Sequence, residues 1–71
     1  MKLQINGEAR DFQPPLTLAG LVDQLGMKAD RVAIELNRSI VARDQWAKTG
    51  LAEGDCLEIV HFVGGGSRVS Y

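Results

Sequence analysis

The sequence predicts an α+β fold in which a mixed β-sheet packs on one helix. Three observations indicate it: a strand-turn-strand pattern over residues 1–12, one stretch of helical periodicity over residues 17–25, and apolar strand patterns over residues 31–37 and 55–63. Because the helix lies between the hairpin and the later strands, it can cross one face of the sheet and bury its apolar side there.

The first element is a β-hairpin. Apolar and polar residues alternate over residues 1–6, which is the period of a half-buried strand. Asn6-Gly7 then supplies the positive φ angles of a two-residue turn. We expect Glu8 to Phe12 to return antiparallel until Pro14-Pro15, where a proline cannot donate to the ladder, ends the strand.

The second element is a short helix. Thr17 is a suitable N-cap, and Gly26 is placed as the left-handed residue that ends the helix. Four apolar residues fall on one face at the spacing i, i+3, i+4 and i+7: Leu18, Leu21, Val22 and Leu25. A helix of about two and a half turns is too short to be stable alone, so it must pack on the sheet.

The later elements complete the sheet. In chain order they are a strand at residues 31–37, a short strand at Ile40-Val41, a helical or 3₁₀ turn within residues 43–51, and a last strand from Cys56 to Val63. Trp46 and Leu51 are expected to pack inward. This order predicts a β-grasp, or ubiquitin-like, roll: four to five strands packed on one helix.

The apolar faces of these elements define a predicted core. Its members are Leu3, Ile5, Leu18, Leu21, Val22, Leu25, Val32, Ile34, Leu36, Leu57 and Ile59. We expect the domain to span residues 1–63.

The last strand runs directly into three consecutive glycines, Gly64, Gly65 and Gly66. Glycine has no Cβ and visits nearly all backbone conformations, so such a segment can enter a narrow site on another protein. Residues 64–71 are therefore expected to form a flexible tail that starts no further element. From the glycines alone, a plain disordered linker is the favoured interpretation.

Composition restricts the function classes. A chain of 71 residues is one domain with a marginal core, which leaves no room for an enclosed active site. The eight Lys and Arg residues are scattered and the formal net charge is -1, which argues against nucleic acid as the main partner. No acid/base pair, nucleophile triad, phosphate loop or metal cluster can be assembled, so we expect no enzyme, no bound cofactor and no metal.

Cysteine use and the N-terminus indicate the compartment. Cys56 is the only cysteine, so no internal disulfide can form, and a small strand residue is a better interpretation of it than a nucleophile. Residues 1–6 are polar and alternating, without the apolar run of a signal peptide or a membrane helix. We expect a cytoplasmic protein with no membrane partner.

Four segments resemble one known family. They are E-I-V-H-F-V-G-G-G at residues 58–66, R-D-Q-W at 43–46, Gly54-Asp55 and the opening M-K-L-Q-I-N-G. Together they are similar to the ThiS family, the sulfur-carrier proteins of thiamine biosynthesis, over residues 1–66. The C-terminal string is specific rather than generic.

The resemblance implies a chemistry at Gly66. In the family an E1-like adenylating enzyme of ThiF type uses ATP to adenylate the C-terminal glycine carboxylate, and a persulfide donor then supplies sulfur to give a thiocarboxylate. Thiazole synthase of ThiG type receives that sulfur. This chain would be a protein co-substrate with Gly64 and Gly65 in its tail, and the catalysts would be its partners.

Val60 and Phe62 are candidate partner-binding residues. Leu57 and Ile59 already continue one apolar face of the last strand, yet Val60 and Phe62 are apolar as well. They can form an exposed patch that docks the activating enzyme, or they can be absorbed by a bulge or a second small core. His61 has no metal-ligand companion and is expected at the strand surface, where contact with a partner beside the tail is the less favoured of two interpretations.

The chain departs from the family at one place, because Ser67 to Tyr71 follow Gly66 and an amide cannot be adenylated. Either a processing peptidase removes these five residues, or they are an engineered remnant that begins in G-G-G-S. Two other functions stay open on the same fold: a sulfur carrier like the small subunit of molybdopterin synthase, and a ubiquitin-like binding module that is never activated.

Overall fold

A computed structural model describes residues 1–62 and 68–70 of the chain. The strands are β1 (Lys2–Ile5), β2 (Glu8–Asp11), β3 (Val32–Leu36), β4 (Ser39–Ile40), β5 (Cys56–Phe62) and β6 (Arg68–Ser70). One helix, α1 (Leu18–Gln24), and two 3₁₀ turns, at Ala29–Arg31 and Arg43–Lys48, complete the described elements.

The strands form one mixed sheet, in which five follow the order β2-β1-β5-β3-β4 and β6 pairs with β5 outside that order. β1 and β5 are parallel, whereas β1 with β2, β3 with β4 and β3 with β5 are antiparallel. β5 is therefore central, and α1 supplies buried leucine and valine side chains to one face of the sheet. This is the arrangement of sheet and helix that the sequence predicts.

The N-terminal hairpin forms as predicted. Asn6 and Gly7 have φ of 52° and 84°, the positive angles of the two-residue turn, and Ile5 is the Cα partner of Glu8. The hydrogen bonding continues beyond the ends of the two strands, where the Phe12 N–H donates to the Met1 carbonyl at 2.8 Å.

The predicted caps of α1 are also confirmed. The Thr17 hydroxyl oxygen accepts a hydrogen bond from the Gly20 N–H at 3.1 Å. At the other end Gly26 has φ of 72°, and the Met27 N–H donates to the Val22 carbonyl at 3.1 Å, which is the pairing of a Schellman motif. These caps satisfy main-chain groups that a seven-residue helix would otherwise leave to water.

The core agrees with the prediction at nine of its eleven positions. Leu25 and Leu36 are only partly buried, because Leu25 lies where α1 ends and Leu36 is the last residue of β3 before a tight turn. Leu16 is buried although no pattern predicted it, and Trp46 packs inward as expected, with its indole N–H donating to the Val41 carbonyl at 2.9 Å.

The second hairpin shifts the short strand by one residue. Asn37 and Arg38 both have positive φ and form a two-residue turn, so Ser39 pairs with Leu36. β4 therefore covers Ser39–Ile40 rather than the predicted Ile40-Val41. The side chain of Ile40 is 77% exposed, the highest value among the large apolar residues described.

The structure differs from the expected tail at Arg68–Ser70, which forms β6 antiparallel to the end of β5. Three residues are too few to give a periodic signal in the sequence. The boundary predicted at Val63 and the glycines Gly64, Gly65 and Gly66 lie outside the described residues, as do Ser67 and Tyr71. The domain boundary stays a prediction.

Candidate docking face and the C-terminal strand

β5 presents two different faces because its side chains alternate. Leu57 and Ile59 point into the core, where each is at most 2% exposed. Val60 is half-buried and Phe62 is 41% exposed, and both belong to the opposite, outer face of the sheet. The last strand thus carries apolar side chains to the surface of the domain near the residue where the glycine run begins.

Strand pairing gathers further apolar residues beside Val60. Ala33 of β3 is its direct cross-strand partner, and Ile40 of β4 lies one strand further. Both residues line, with Val60, a shallow groove of about 110 Å³. We call Ala33, Ile40, Val60 and Phe62 the outer patch. Ile40 and Phe62 are its exposed members, whereas Val60 and Ala33 are half-buried.

Two carboxylates border the outer patch. Glu35 and Glu58 are exposed, and they are direct cross-strand partners on β3 and β5. Like charges placed opposite each other across two strands repel, and the cationic Arg38 lines a groove together with both carboxylates.

His61 lies on the other side of β5 from Val60 and Phe62. It is partly buried and its cross-strand partner is Val32, a core residue. The structure therefore brings Val60 and Phe62 together but separates His61 from them. Whether any of the three binds a partner stays a prediction.

Asn6 and Asn37 attach the two hairpin turns to β5. The Asn6 side-chain oxygen accepts from the Ile59 N–H at 2.8 Å, and its Nδ2 donates to the Ile59 carbonyl at 3.1 Å. The Asn37 side-chain oxygen accepts from the Cys56 N–H at 2.9 Å, and its Nδ2 donates to Asp55 Oδ1 at 3.1 Å. Both asparagines have positive φ, which this residue type tolerates.

Sequence reasoning missed the role of these asparagines on β5. It identified Asn6 and Asn37 only as turn residues, and nothing local marks a side chain that bonds to a strand 53 or 19 positions away. The bonds matter for the site because β5 is the strand that leads to the glycines. Its position is fixed on both sides by neighbouring strands and by two side chains.

Cys56 lies on the outer face away from the patch. It is exposed, and its Sγ is 3.6 Å from Gln4 Oε1 in a second groove of about 220 Å³. Gln4 and Arg38 also line that groove. Within residues 1–62 and 68–70 no group of three or more His, Cys, Asp or Glu is placed to hold a metal ion.

The described helices are all too short or too polar to cross a membrane. The longest of them, α1, has seven residues, whereas a spanning helix needs about 20.

Comparison with known proteins places the chain in a family. The model of the ThiS family matches residues 3–66, so the match ends at Gly66. The sulfur carrier protein ThiS of Bacillus subtilis is 32% identical over 65 residues, which cover 90% of this chain and 98% of that protein.

A longer relative shares a similar segment. A thiazole synthase of Paramagnetospirillum magneticum is 46% identical over 67 residues, or 94% of this chain. The chain spans only 21% of the length of that protein.

A solved structure agrees with the fold. The crystal structure of the thiamine biosynthesis protein ThiS from Geobacter metallireducens superposes with a TM-score of 0.80 at 30% identity, covering 93% of this chain and all of that one. This likeness and the mixed sheet on one helix confirm the predicted β-grasp fold. The match of the family model over residues 3–66 confirms the resemblance seen in the C-terminal string, and the chain belongs to the ThiS family.

Proposed function

We propose that this protein is a sulfur carrier whose Gly66, once it is the terminal residue, is adenylated and converted to a thiocarboxylate. The observation that carries the proposal is the family match, which extends through the glycine run and ends at Gly66. The near-complete coverage of a Bacillus subtilis protein named as a sulfur carrier supports it. The family match also favours this function over that of a molybdopterin synthase subunit.

The chemistry explains why glycines precede the reacting group. A carboxylate is a poor electrophile, and attachment of AMP from ATP, with loss of pyrophosphate, provides a good leaving group. Attack by the outer sulfur of a persulfide displaces AMP and forms an acyl disulfide. A second thiol then cleaves the S–S bond, which releases the thiocarboxylate and leaves the donor sulfur in a disulfide with that thiol. A side chain at residue 65 or 66 would obstruct that attack. From Phe62 to Gly66 the chain can reach about 13 Å at roughly 3.3 Å per residue, enough to enter a site while the domain stays outside.

The outer patch is the surface that we assign to the activating enzyme. It combines exposed Phe62 with half-buried Val60 on the strand that leads to Gly66. An apolar centre with a charged margin, here Glu35 and Glu58, is the usual composition of a transient protein interface. We expect the E1-like enzyme to place an apolar surface on the patch and a cationic side chain between the two carboxylates.

Thiazole synthase is the acceptor that the comparisons support best. A thiazole synthase contains a segment similar to nearly the whole of this chain, so a carrier-like segment and that enzyme name occur on one polypeptide. The role of this chain is then that of a co-substrate rather than a catalyst. A persulfide donor and a cytoplasmic location complete the proposal.

Gly66 must first become terminal, because Ser67 follows it in the chain. The test compares a form that ends at Gly66 with the 71-residue chain, each incubated with the cognate E1-like enzyme and ATP. We expect the short form to release pyrophosphate and, after sulfur transfer, to gain the mass of one oxygen replaced by sulfur. We expect the longer form to do neither until a peptidase cuts after Gly66.

A variant of the short form provides the control. Gly66→Val should block the reaction while the melting temperature stays the same, since Gly66 follows the last core strand. If the short form is never adenylated by its cognate enzyme, or if the 71-residue form carries sulfur at Tyr71, the sulfur-carrier proposal is wrong. A binding module that is not activated would then be the better account.

A further inference from the structure

The edge of β5 that faces β1 is covered by three segments in succession. β1 pairs with its first part, through Gln4 with Cys56 and Ile5 with Leu57. The Asn6 side chain then makes hydrogen bonds with the Ile59 N–H and carbonyl, and β6 pairs with residues 60–62. β5 is longer than β1, and without β6 its last three residues would present an open edge there.

The direction of the main-chain groups follows from the hydrogen bonds. The Leu57 carbonyl accepts from the Asn6 N–H at 2.9 Å, and Ile59 bonds to the Asn6 side chain, so both residues turn their polar groups to this edge. With a period of two, His61 does the same, and Val69 is its partner. His61 and Val69 therefore form the hydrogen-bonded pair of β5 and β6, while Arg68 and Ser70 turn their N–H groups away.

An open edge strand readily accepts another extended segment, because its unpaired N–H and C=O groups form a template for pairing. The structure places the segment 68–70 of this same chain on that edge, antiparallel and in a defined register with Val60, His61 and Phe62. The occupant of the edge is thus identified by the pairing itself.

We propose that the β5 edge at residues 60–62 is a strand-docking site, that residues 68–70 of this chain are its occupant, and that their pairing keeps Gly66 close to the domain. The consequence for Gly66 rests on the proposed sulfur-carrier function. The pairing does not depend on it.

The number of attachment points decides how freely Gly66 can move. Arg68 pairs with Phe62, and Gly66 is two residues before Arg68, so with β6 paired the connecting segment is held at both ends and Gly66 stays within about 7 Å of Arg68. With β6 released, the segment is held only at Phe62, and Gly66 can extend about 13 Å from Phe62 away from the domain. A cut after Gly66 would therefore both create the carboxylate and free the segment to reach into a partner.

The test uses proline, which removes one main-chain N–H. Val69→Pro deletes the donor that faces His61, whereas the matched control Ser70→Pro deletes an N–H that points away from β5. We expect Val69→Pro and the form ending at Gly66 to raise the hydrogen-exchange rate of the His61 amide about tenfold, and Ser70→Pro to leave it nearly unchanged.

Two further NMR readouts examine the pairing and the confinement. The full chain should give Hα–Hα cross-peaks between Phe62 and Arg68 and between Val60 and Ser70, because these pairs lack direct hydrogen bonds and approach closely. The ¹⁵N relaxation of Gly64, Gly65 and Gly66 should indicate faster motion in Val69→Pro than in Ser70→Pro.

The outcomes are distinct. Absent cross-peaks, or equal His61 exchange in the full chain, Val69→Pro and the short form, would overturn the proposal. Cross-peaks that arise only between differently labelled copies would overturn it in favour of pairing between two molecules. Equal relaxation of the glycines in both proline variants would overturn the confinement of Gly66. None of these readouts uses the activating enzyme, so the proposed function can fail separately.

Discussion

Asn6→Gly is expected to destabilise the domain, because it removes two hydrogen bonds to the centre of β5. The Ile59 N–H and carbonyl are bonded to the Asn6 side chain at 2.8 and 3.1 Å, and both bonds are partly buried. Glycine keeps the positive φ of 52° without strain. The loss of unfolding free energy therefore measures the contribution of the side chain and not that of the backbone angle.

The size of the effect follows from the number of bonds. Each hydrogen bond contributes about 0.5–1.5 kcal/mol, and partial burial limits replacement by water, so we expect a loss of about 1–3 kcal/mol. Glycine also raises the entropy of the unfolded chain, which adds about 0.4–1 kcal/mol. For a domain of this size each kcal/mol lowers the melting temperature by about 4–8 °C.

Asn37→Gly is the matched control. Asn37 also has a positive φ, of 50°, and also makes two side-chain bonds, but its bonds to Cys56 and Asp55 are exposed. The entropic contribution of glycine is the same at both positions, and water can replace the exposed bonds. We therefore expect Asn6→Gly to cost about 1 kcal/mol more than Asn37→Gly.

The assay is urea unfolding followed by circular dichroism, with hydrogen exchange of the Ile59 amide as a local readout. Faster exchange of Ile59 in Asn6→Gly, but not in Asn37→Gly, would locate the effect at this amide. Equal unfolding free energies of the two variants would refute the reasoning that the Asn6 bonds hold β5 more strongly. A loss below about 0.5 kcal/mol at Asn6 would show that water replaces the side chain there.

Two further predictions concern the core and the outer patch. Leu21 is fully buried, so Leu21→Ala should lower the free energy of unfolding by about 2–5 kcal/mol, and a loss under half a kcal/mol in the same assay would contradict its place in the core. Phe62→Ala should weaken binding to the E1-like enzyme by more than about 1 kcal/mol with little change in melting temperature, since 41% of the side chain is exposed. Calorimetric titration measures the binding, and Gln4→Ala, on the same face but outside the patch, is the control. Equal affinities of the two variants would show that the outer patch is not part of the interface.

The sequence carries most of the information for the fold in local signals. Alternation over β1, the Asn6-Gly7 turn, and the Thr17 and Gly26 caps each act within a few residues, and the structure has all of them where they were predicted. The errors occur where the position of a segment depends on the conformation of an adjacent element. The two positive-φ residues after β3, for example, moved β4 one residue toward the N-terminus.

The candidate site was predictable only in part, because some of its residues belong to a local pattern and others are brought together by long-range pairing. Apolar residues on both faces of β5 indicate either an exposed patch or a second small core, so the sequence could name Val60 and Phe62 as candidates but could not choose between the two. The addition of Ala33 and Ile40 depends on strand register, which the sequence does not specify. The bonds from Asn6 to Ile59 and the pairing of β6 are long-range or non-periodic contacts, and no sequence pattern marks them.

The position of β5 connects the stability of the domain with its proposed function. A carrier must present its terminal glycine to an enzyme while its own fold stays intact, so the strand before the glycines has to resist being pulled away. β5 meets this requirement through pairing with β1 and β3 and through the Asn6 and Asn37 side chains. None of these contacts involves β6, which pairs with residues 60–62 of β5. Removal of β6 can therefore free the glycines and leave the contacts that hold β5 in place.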